Sequence, residues 1–407
     1  MKHDDQVRLL KTLLARLDSG TNVDAGGFRR NPTSSYVDPE LAALERREFF
    51  LGHPQMIGLT GDLPAPGSFL TFSELDVPVL ATRDDGGRFR AFVNSCRHRG
   101  VVLEEQERGS TRRFACRFHN WTYDTAGTLV GLPKADHFGQ PDQSCLGLIE
   151  LPAVERHGLL FVSLDPQAGT AATSEEMSAA LAAEIAADFG DELDAELAHW
   201  GFDDLVYLGQ DTYPVACNWK LAMDTFGETY HFPVLHADTL ANGFHGNVQV
   251  YDTFGRNHRM ILCRRDIDEM RHQPEEDWRI TIGGLPVYWI FPNVQLIPNQ
   301  GGMQVVRAYP DPEHPGRHVS RIGFYLRSQY AESEDIVEVF TAMSRNFSEV
   351  IRDEDYVMSA SQQRSADSGA LSHVVFGRNE PALHHYHNTY RAALGHQQLP
   401  LLETIDG

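Results

Sequence analysis

The first residues of the chain show the spacing of an amphipathic helix. Apolar side chains recur three or four positions apart, at Val7, Leu10, Leu13, Leu14 and Leu17. A segment rich in Gly, Asn and Pro follows between residues 26 and 32. Residues 1–45 are therefore predicted to form a helix and a connector that pack with the C-terminal half of the chain.

Between residues 67 and 166 the pattern changes to short β-type runs. Val77–Thr82, Phe89–Asn94 and Leu159–Leu164 have the composition of strands, and turn residues such as Asp85-Gly86-Gly87 separate such runs. We interpret residues 46–166 as a small all-β module.

The second half of the chain mixes helical and β patterns. Residues 173–200 predict one helix, and a second is predicted from about Cys217 to His231, where Pro233 ends it. Four β-type runs predict an antiparallel sheet: Val287–Ile290, Val294–Ile297, Met303–Tyr309 and Val319–Leu326. From Ser333 onwards, apolar residues at helical spacing predict a long helix. Residues 167–407 are therefore predicted to form an α+β domain.

Length and charge restrict the classes of function. A chain of 407 residues suggests two or three domains. The formal net charge of −22 argues against binding to nucleic acid or to anionic membranes, since both depend on a basic surface. No stretch approaches the ~20 apolar residues of a membrane span, and charges interrupt the N-terminal helix, unlike a secretory signal. Five cysteines, an odd number, argue against a disulfide framework, so we expect a cytoplasmic protein.

Two short cysteine–histidine motifs carry the clearest chemistry. Cys96 and His98 are separated by one residue, and Cys116 and His119 by two. Two thiolates and two imidazoles in this order suit a two-iron, two-sulfur cluster of Rieske type, with the cysteines on one iron and the histidines on the other. A structural zinc site accepts the same four ligands. Two similar loop tips facing each other favour the cluster, which transfers single electrons.

A second metal-binding pattern lies further along the chain. His231 and His236 are five residues apart, and the proline between them allows the second imidazole to fold back beside the first. Electrons from an upstream cluster need a destination, and non-haem iron(II) held by two histidines and a carboxylate activates O2. We expect the carboxylate near the end of the long helix. Helical periodicity rejects Asp353 there and leaves both Glu354 and Asp355 open.

Together these motifs resemble those of the Rieske non-haem iron oxygenases, specifically the large (alpha) subunits of ring-hydroxylating oxygenases. The resemblance covers most of the chain and rests on these segments: Gly67–Phe69, Asn94–Gly100, Cys116–Asp124, Asn218–Lys220, Glu228–His236, and the terminal carboxylate followed by Gln363. It implies an all-β Rieske [2Fe-2S] domain joined to a helix-grip (START-like) catalytic domain with an antiparallel sheet. The chain departs from the family pattern at Phe118, Asn120 and Asp224, where Tyr, Gly or Ala, and Asn are frequent.

The resemblance also implies roles for individual residues. The cluster ligands would be Cys96, His98, Cys116 and His119. The ligands of a mononuclear iron(II) would be His231, His236 and Asp355, with Glu354 as the alternative third ligand. Glu228 matches a carboxylate that links the mononuclear-iron histidine of one subunit to a Rieske histidine, here His119, of its neighbour.

The function implied is that of the terminal oxygenase of a multicomponent system. A reductase, with or without a ferredoxin, would pass electrons from NAD(P)H to the cluster, and O2 would be the cosubstrate. The chain would form a homotrimer, with or without a small beta subunit, and would mono- or cis-dihydroxylate an aromatic or related small organic substrate. The alternatives are oxidative O- or N-demethylation of a methyl ether or quaternary amine and, more remotely, electron transfer alone. Candidates for the pocket walls are Phe226, Phe244, Tyr288, Trp289 and Phe291.

Overall fold

The computed structural model describes residues 1–139, 142–165 and 173–403. Two compact units are distinguished by their internal contacts. One comprises Met1–Arg46, Asp188–Trp200 and Tyr207–Gly407, and the other comprises Arg47–Ala187 and Gly201–Val206. The predicted boundary between residues 166 and 167 lies outside the described residues, so the three predicted domains remain a prediction.

The smaller unit is built from short antiparallel strands, as the sequence predicts. A five-stranded sheet has the spatial order Glu150–Leu151, Phe89–Val93, Val79–Arg83, Ser68–Phe72 and Arg108–Ser110. Two three-stranded sheets have the orders Ala153–Arg156, Leu159–Val162 and Gln55–Leu59, and Arg113–Ala115, Thr122–Asp124 and Leu129–Gly131. The core of this unit contains both motif cysteines together with large apolar side chains, among them Phe69, Phe92, Phe114, Trp121 and Tyr123.

A seven-stranded sheet forms the centre of the larger unit. Its spatial order is Leu205–Val215, His318–Arg327, Gly302–Pro310, Val294–Pro298, Gly284–Ile290, Asn257–Arg264 and Phe244–Phe254. The last six strands pair antiparallel with their neighbours. All four β-type runs predicted for this region are strands of this sheet. The all-β module and the α+β unit confirm the predicted fold class.

The helices of the chain differ in length. The longer ones are His3–Ser19, Ser174–Ala198, which is interrupted at Gly190, Glu334–Val350, Tyr356–Asp367 and Pro381–Ala393. The shorter ones are Ser34–Val37, Pro39–Glu45, Trp219–Asp224, Phe232–Leu235, Ile267–Met270 and Ile280–Gly283. The predicted N-terminal helix buries Leu9, Leu10 and Leu13 against a cluster that includes Ile261 and Cys263 of the sheet. Among the described residues, no helix has the length and apolar character needed to cross a bilayer.

Two local predictions need correction. The helix predicted from Cys217 to His231 begins at Trp219 and ends at Asp224, where the chain turns: the Phe226 amide donates to the Met223 carbonyl at 3.1 Å and the Gly227 amide to the Asp224 carbonyl at 3.0 Å, three residues back rather than four. Pro233 does not end a helix but lies in the first turn of Phe232–Leu235, where its missing N–H costs nothing. The predicted connector contains a strand, Arg29–Pro32, that pairs with His373–Phe376.

A buried ion pair attaches the helix Trp219–Asp224 to the N-terminal region. Lys220 Nζ lies 2.5 Å from Glu45 Oε2, and the two side chains are only 2% and 3% exposed. Asn218 caps this helix by accepting a hydrogen bond from the Lys220 amide at 3.0 Å. Because a buried charge without its partner is strongly unfavourable, the pair fixes how these two segments pack.

We expect Lys220→Met to lower the free energy of unfolding by ~3–5 kcal/mol, because it leaves the Glu45 carboxylate buried and unpaired. Adding Glu45→Leu should restore most of the loss. The control is Lys11→Met, which breaks the exposed pair with Glu275 and should change stability by less than ~1 kcal/mol. Denaturant titrations of the four proteins measure these differences. A Lys220→Met protein as stable as Lys11→Met would contradict the prediction.

Candidate metal centres

Two turns of the same form carry the cysteine–histidine motifs. In the first, the Gly100 amide donates to the Cys96 carbonyl at 2.9 Å, and in the second the Asn120 amide donates to the Cys116 carbonyl at 2.8 Å. Gly100 and Asn120 both have positive φ, 73° and 60°. Asn tolerates this left-handed conformation better than most residues. The departure from Gly or Ala at position 120 therefore preserves the shape of the turn.

The structure brings the four predicted cluster residues together. Cys96 and Cys116 are buried, whereas His98 is half-buried and His119 is exposed. The two imidazole centroids are 4.5 Å apart. Nδ1 of His98 is buried and has no hydrogen-bond partner within the described part of the chain, which leaves it available to a metal. Two buried thiols and two outward imidazoles fit a cluster with a sulfur-ligated inner iron and an imidazole-ligated outer iron.

Aromatic side chains enclose this site. Trp121 stacks on the His98 ring with centroids 4.9 Å apart, and Phe138 meets both rings edge-on at 5.5 Å. The Tyr123 hydroxyl accepts a hydrogen bond from the Arg97 amide at 3.1 Å and lies 3.6 Å from the Cys96 sulfur. Burial raises the pKa of Tyr123. This hydroxyl therefore stays protonated and can donate to the sulfur, an interaction that raises the reduction potential of such clusters.

The second candidate centre contains His231, His236 and Asp355. Nε2 of His231 lies 3.2 Å from Nε2 of His236. Asp355 Oδ1 lies 3.6 Å and 3.5 Å from these two nitrogens. Ligand atoms about 2.1 Å from a metal ion and at right angles to each other are about 3 Å apart. The three atoms therefore have the spacing of one face of a metal's coordination shell.

Two further carboxylates orient the histidines. Glu228 accepts hydrogen bonds from Nδ1 of His231 and from the His231 amide, the latter at 3.1 Å. Glu354 Oε2 lies 2.6 Å from Nδ1 of His236 and accepts from the Thr239 hydroxyl at 3.0 Å. With its proton held at Nδ1, each imidazole presents an unprotonated Nε2 to the centre. Burial lowers the pKa of His236, but the Asp355 and Glu354 carboxylates outweigh this and raise it.

A π-helical turn places the two acidic candidates differently. Between the helices Glu334–Val350 and Tyr356–Asp367, residues Ile351–Asp355 form a wider turn, a feature common at functional sites. Asp355 is buried and approaches both Nε2 atoms, whereas Glu354 reaches only Nδ1 of His236. Regular helical periodicity could not distinguish them because the turn changes the rotation per residue. Asp353 is exposed and paired with Arg352 at 2.6 Å, so it stays away from the centre, as predicted.

A cavity of about 630 Å³ adjoins His231, His236 and Asp355. Five aromatic side chains line it: Phe226, Phe232, Phe244, Phe340 and Phe347. Phe226 and Phe244 are in their predicted position. Tyr288, Trp289 and Phe291 are not among the lining residues and are buried in the core instead. Arg264 and Phe340 line the cavity although they belong to segments far apart in sequence, which no local motif could reveal.

Comparison with known proteins agrees with this geometry. Residues 53–150 match the family model described as Rieske [2Fe-2S] domain, and residues 202–396 match the one described as ring hydroxylating alpha subunit (catalytic domain). The cofactors of these two domains are a [2Fe-2S] cluster and a mononuclear non-haem iron, and the residues described above fit both.

Individual relatives include oxygenases for different substrates. The glycine betaine monooxygenase oxygenase subunit of Chromohalobacter salexigens is 32% identical over 51% of this chain and 43% of its own length. The large oxygenase component of the naphthalene 1,2-dioxygenase system of Pseudomonas aeruginosa is 30% identical over 49% of this chain and 41% of its own length. The chain thus aligns with less than half of each of these two relatives.

A solved quaternary ammonium Rieske monooxygenase in complex with an inhibitor has the same fold. It superposes with a TM-score of 0.74 at 18% identity, covering 92% of this chain and 97% of that one. The two family models and these relatives agree with the motifs in the chain. The chain therefore belongs to the Rieske oxygenases, as a relative of their large (alpha) subunits.

Proposed function

We propose that this chain is the terminal oxygenase of a multicomponent system and hydroxylates a small organic substrate in the cavity beside His231, His236 and Asp355. The observation that carries the proposal is that these three ligand-type atoms share one small face at the wall of an aromatic-lined cavity. An electron carrier would have no use for such a cavity. The proposed assignment of the third ligand is Asp355, with Glu354 as a positioning residue.

The side chains around the proposed iron site have distinct tasks. When bound, iron supplies O2 activation and the cluster supplies one-electron transfer. Glu228 and Glu354 keep the Nδ1 protons of the two histidines in place, so that both Nε2 atoms remain ligands. The phenylalanine side chains of the cavity exclude water and hold the apolar part of the substrate beside the centre.

The proposed overall reaction balances with NAD(P)H as the electron source. Monohydroxylation converts RH, O2, NAD(P)H and H⁺ into ROH, H2O and NAD(P)⁺, whereas cis-dihydroxylation places both oxygen atoms on the substrate. The proposed electron donor is a reductase, with or without a ferredoxin. The proposed setting is the cytoplasm, whose reducing conditions suit cysteine ligands.

We also propose that Glu228 links two subunits of a homotrimer, with or without a small beta subunit. Glu228 already holds His231 Nδ1, and its side chain is 13% exposed. Tyr230 and Val234 beside it are 66% and 84% exposed, an unusual exposure for large apolar residues near a buried centre. In the unit that carries the cysteine–histidine motifs, His119 is exposed beside Phe118, which is 52% exposed. These features support a contact in which His119 of one subunit meets Glu228 of the next.

Two substrate classes remain for this site. An aromatic substrate is supported by the match to the catalytic domain of ring-hydroxylating alpha subunits and by the naphthalene dioxygenase relative. The second candidate is monooxygenation or demethylation of a quaternary amine, which the glycine betaine relative supports. The five phenylalanine rings of the cavity suit both, because aromatic faces attract planar rings and also quaternary ammonium cations.

The direct test is turnover by the purified holoenzyme with NADH and a surrogate reductase. The panel contains polycyclic arenes, aromatic acids, methyl ethers and quaternary amines, and products are identified by mass spectrometry with ¹⁸O2. Incorporation of ¹⁸O into at least one product is expected. For demethylation, the aldehyde product must be trapped at once because its oxygen exchanges with water. Reduction of the cluster without oxygen incorporation into any product would contradict the proposal.

We expect Asp355→Ala to lower the iron content from about three to about two per chain, because it removes one ligand of the mononuclear site but none of the cluster. Acid-labile sulfide and the visible spectrum of the cluster should not change. Asp353→Ala, at an exposed position two residues earlier, is the control and should retain all the iron. Glu354→Gln should weaken iron binding by only ~10–100-fold. Full iron content in Asp355→Ala would exclude it as a ligand.

We expect Glu228→Gln to bind iron more weakly, as Glu354→Gln does, because both carboxylates hold a histidine Nδ1 proton. When the protein is loaded with excess iron(II), product formation should still fall at least ~10-fold, because an amide cannot accept hydrogen bonds from two imidazoles in the same way. Stopped-flow reduction of the cluster should remain unchanged, whereas its reoxidation with substrate and O2 should slow. Glu349→Gln, at an exposed position, is the control. Full activity once the iron site is filled would indicate that Glu228 only orients His231.

A further inference from the structure

We propose that Arg264 is a specificity-determining residue that binds a carboxylate of the substrate in the same cavity as the iron site, from which two phenylalanine rings separate it. This inference rests on the proposed function, since it assumes that the cavity is the substrate site. Arg264 lines the cavity and is its one Lys or Arg among the residues that the structure describes there.

A wall of aromatic rings separates Arg264 from the iron site. The Arg264 guanidinium lies 5.7 Å from the centroid of Phe244, its partner on the neighbouring strand. Phe244 meets Phe232 edge-on at 5.6 Å, and Phe232 meets His236 at 5.1 Å. Phe244 and Phe232 therefore separate the guanidinium from His236 along the cavity lining, and a molecule in the cavity can contact Arg264 and extend past these rings toward the histidines.

The guanidinium retains hydrogen-bonding capacity for a ligand. Its Nε donates to Asp266 Oδ2 at 3.2 Å, and the two side chains are 33% and 59% exposed. The Nη atoms have no acceptor among the residues described. An exposed ion pair of this kind contributes little stability because water screens it. Arg264 therefore keeps donors in the planar arrangement that a carboxylate binds with two hydrogen bonds.

The other charges of the cavity dictate the orientation of an anionic ligand. Glu228 and Asp355 line the end near the histidines, and Asp266 is beside Arg264. With iron(II) bound and Glu228, Glu354 and Asp355 ionised, the charge at the iron site is +2 − 3, or about −1, so a substrate carboxylate is still disfavoured there. Its cationic partner is the Arg264 guanidinium. The opposite, uncharged or cationic end of the molecule is then directed to the iron site.

The ligand class that follows is a small carboxylate with an apolar or methylammonium arm. An aromatic acid and a zwitterion with a trimethylammonium group share this chemistry, and the phenylalanine rings can contact either arm. Substrates of the same shape without the negative charge should bind less well, because they leave the Arg264 donors without a strong acceptor.

The test compares matched pairs that differ in the carboxylate. Glycine betaine is paired with choline, γ-butyrobetaine with its amide, and 2-naphthoate with 2-naphthamide. In each partner a neutral hydroxyl or amide group replaces the carboxylate, and the partner is called neutral in that sense. Calorimetric titration of the holoenzyme gives Kd, and turnover with a surrogate reductase gives KM and kcat. We expect the wild type to bind at least one acid ~10-fold or more tightly than its neutral partner, as expected for a charge-assisted hydrogen-bonded pair.

Arg264→Gln should abolish this preference by weakening acid binding ~10-fold or more, with less than a twofold change for the neutral partner. Arg264→Lys should retain part of the preference, and Asp266→Asn should strengthen acid binding because it removes a competing acceptor. The control is Arg265→Gln, at the exposed neighbouring position, which should leave both affinities unchanged.

Two outcomes would overturn the inference. The wild type could bind no acid of the panel more tightly than its neutral partner, or Arg264→Gln could weaken both members of a pair equally, which would indicate a structural role. Failure of the proposed function gives a different result. In that case the acids would bind through Arg264, but no O2-dependent product would form from any of them.

Discussion

The proton held at Nδ1 of each metal-site histidine is the constraint on which the centre depends. Two imidazole nitrogens 3.2 Å apart can both face one ion only if neither carries a proton at Nε2. Glu228 and Glu354 meet this requirement from outside, by accepting from Nδ1 of His231 and His236. Their negative charge also offsets the charge of a bound cation. The ligand face is therefore prepared by residues that need not contact the metal.

A hydrogen-bonded framework keeps the two ligand-bearing segments together. The backbone N–H of Asn218, just before the helix Trp219–Asp224, donates a hydrogen bond to Gln363 Oε1 at 2.9 Å. Gln363 belongs to the helix that follows Asp355, so this bond joins the two segments behind the centre. The Lys220–Glu45 ion pair attaches the same helix to the N-terminal region. Asn218, Lys220 and Gln363 thus position ligands that lie several residues away from them.

The sequence predicted the candidate ligand residues more completely than it predicted the local backbone structure. Ligand types and spacings are local, so the cluster motifs and the two histidines could be recognised directly. The end of the helix at Asp224 could not, because the turn there is closed by backbone hydrogen bonds, such as that from the Gly227 amide to the Asp224 carbonyl, which no side-chain pattern marks. The π-helical turn similarly made regular periodicity unable to separate Glu354 from Asp355. Asn120 differs from the family pattern in type but preserves the positive φ that the turn requires.

The cavity is lined by segments that are far apart in the sequence. The proposed iron ligands and the proposed specificity residue Arg264 therefore lie on different segments. The iron end of the cavity is built from one stretch of sequence around His231 and from the π-helical turn, where few substitutions preserve ligand geometry. Arg264 lies at the end of the strand Asn257–Arg264, and the helix Glu334–Val350 contributes Phe340 and Phe347 to the lining. Phe244 and Phe232 lie between Arg264 and His236, so a change at position 264 need not disturb the ligands. A carboxylate-binding residue at position 264 would therefore determine which end of a substrate approaches the proposed iron site without altering the proposed ligands.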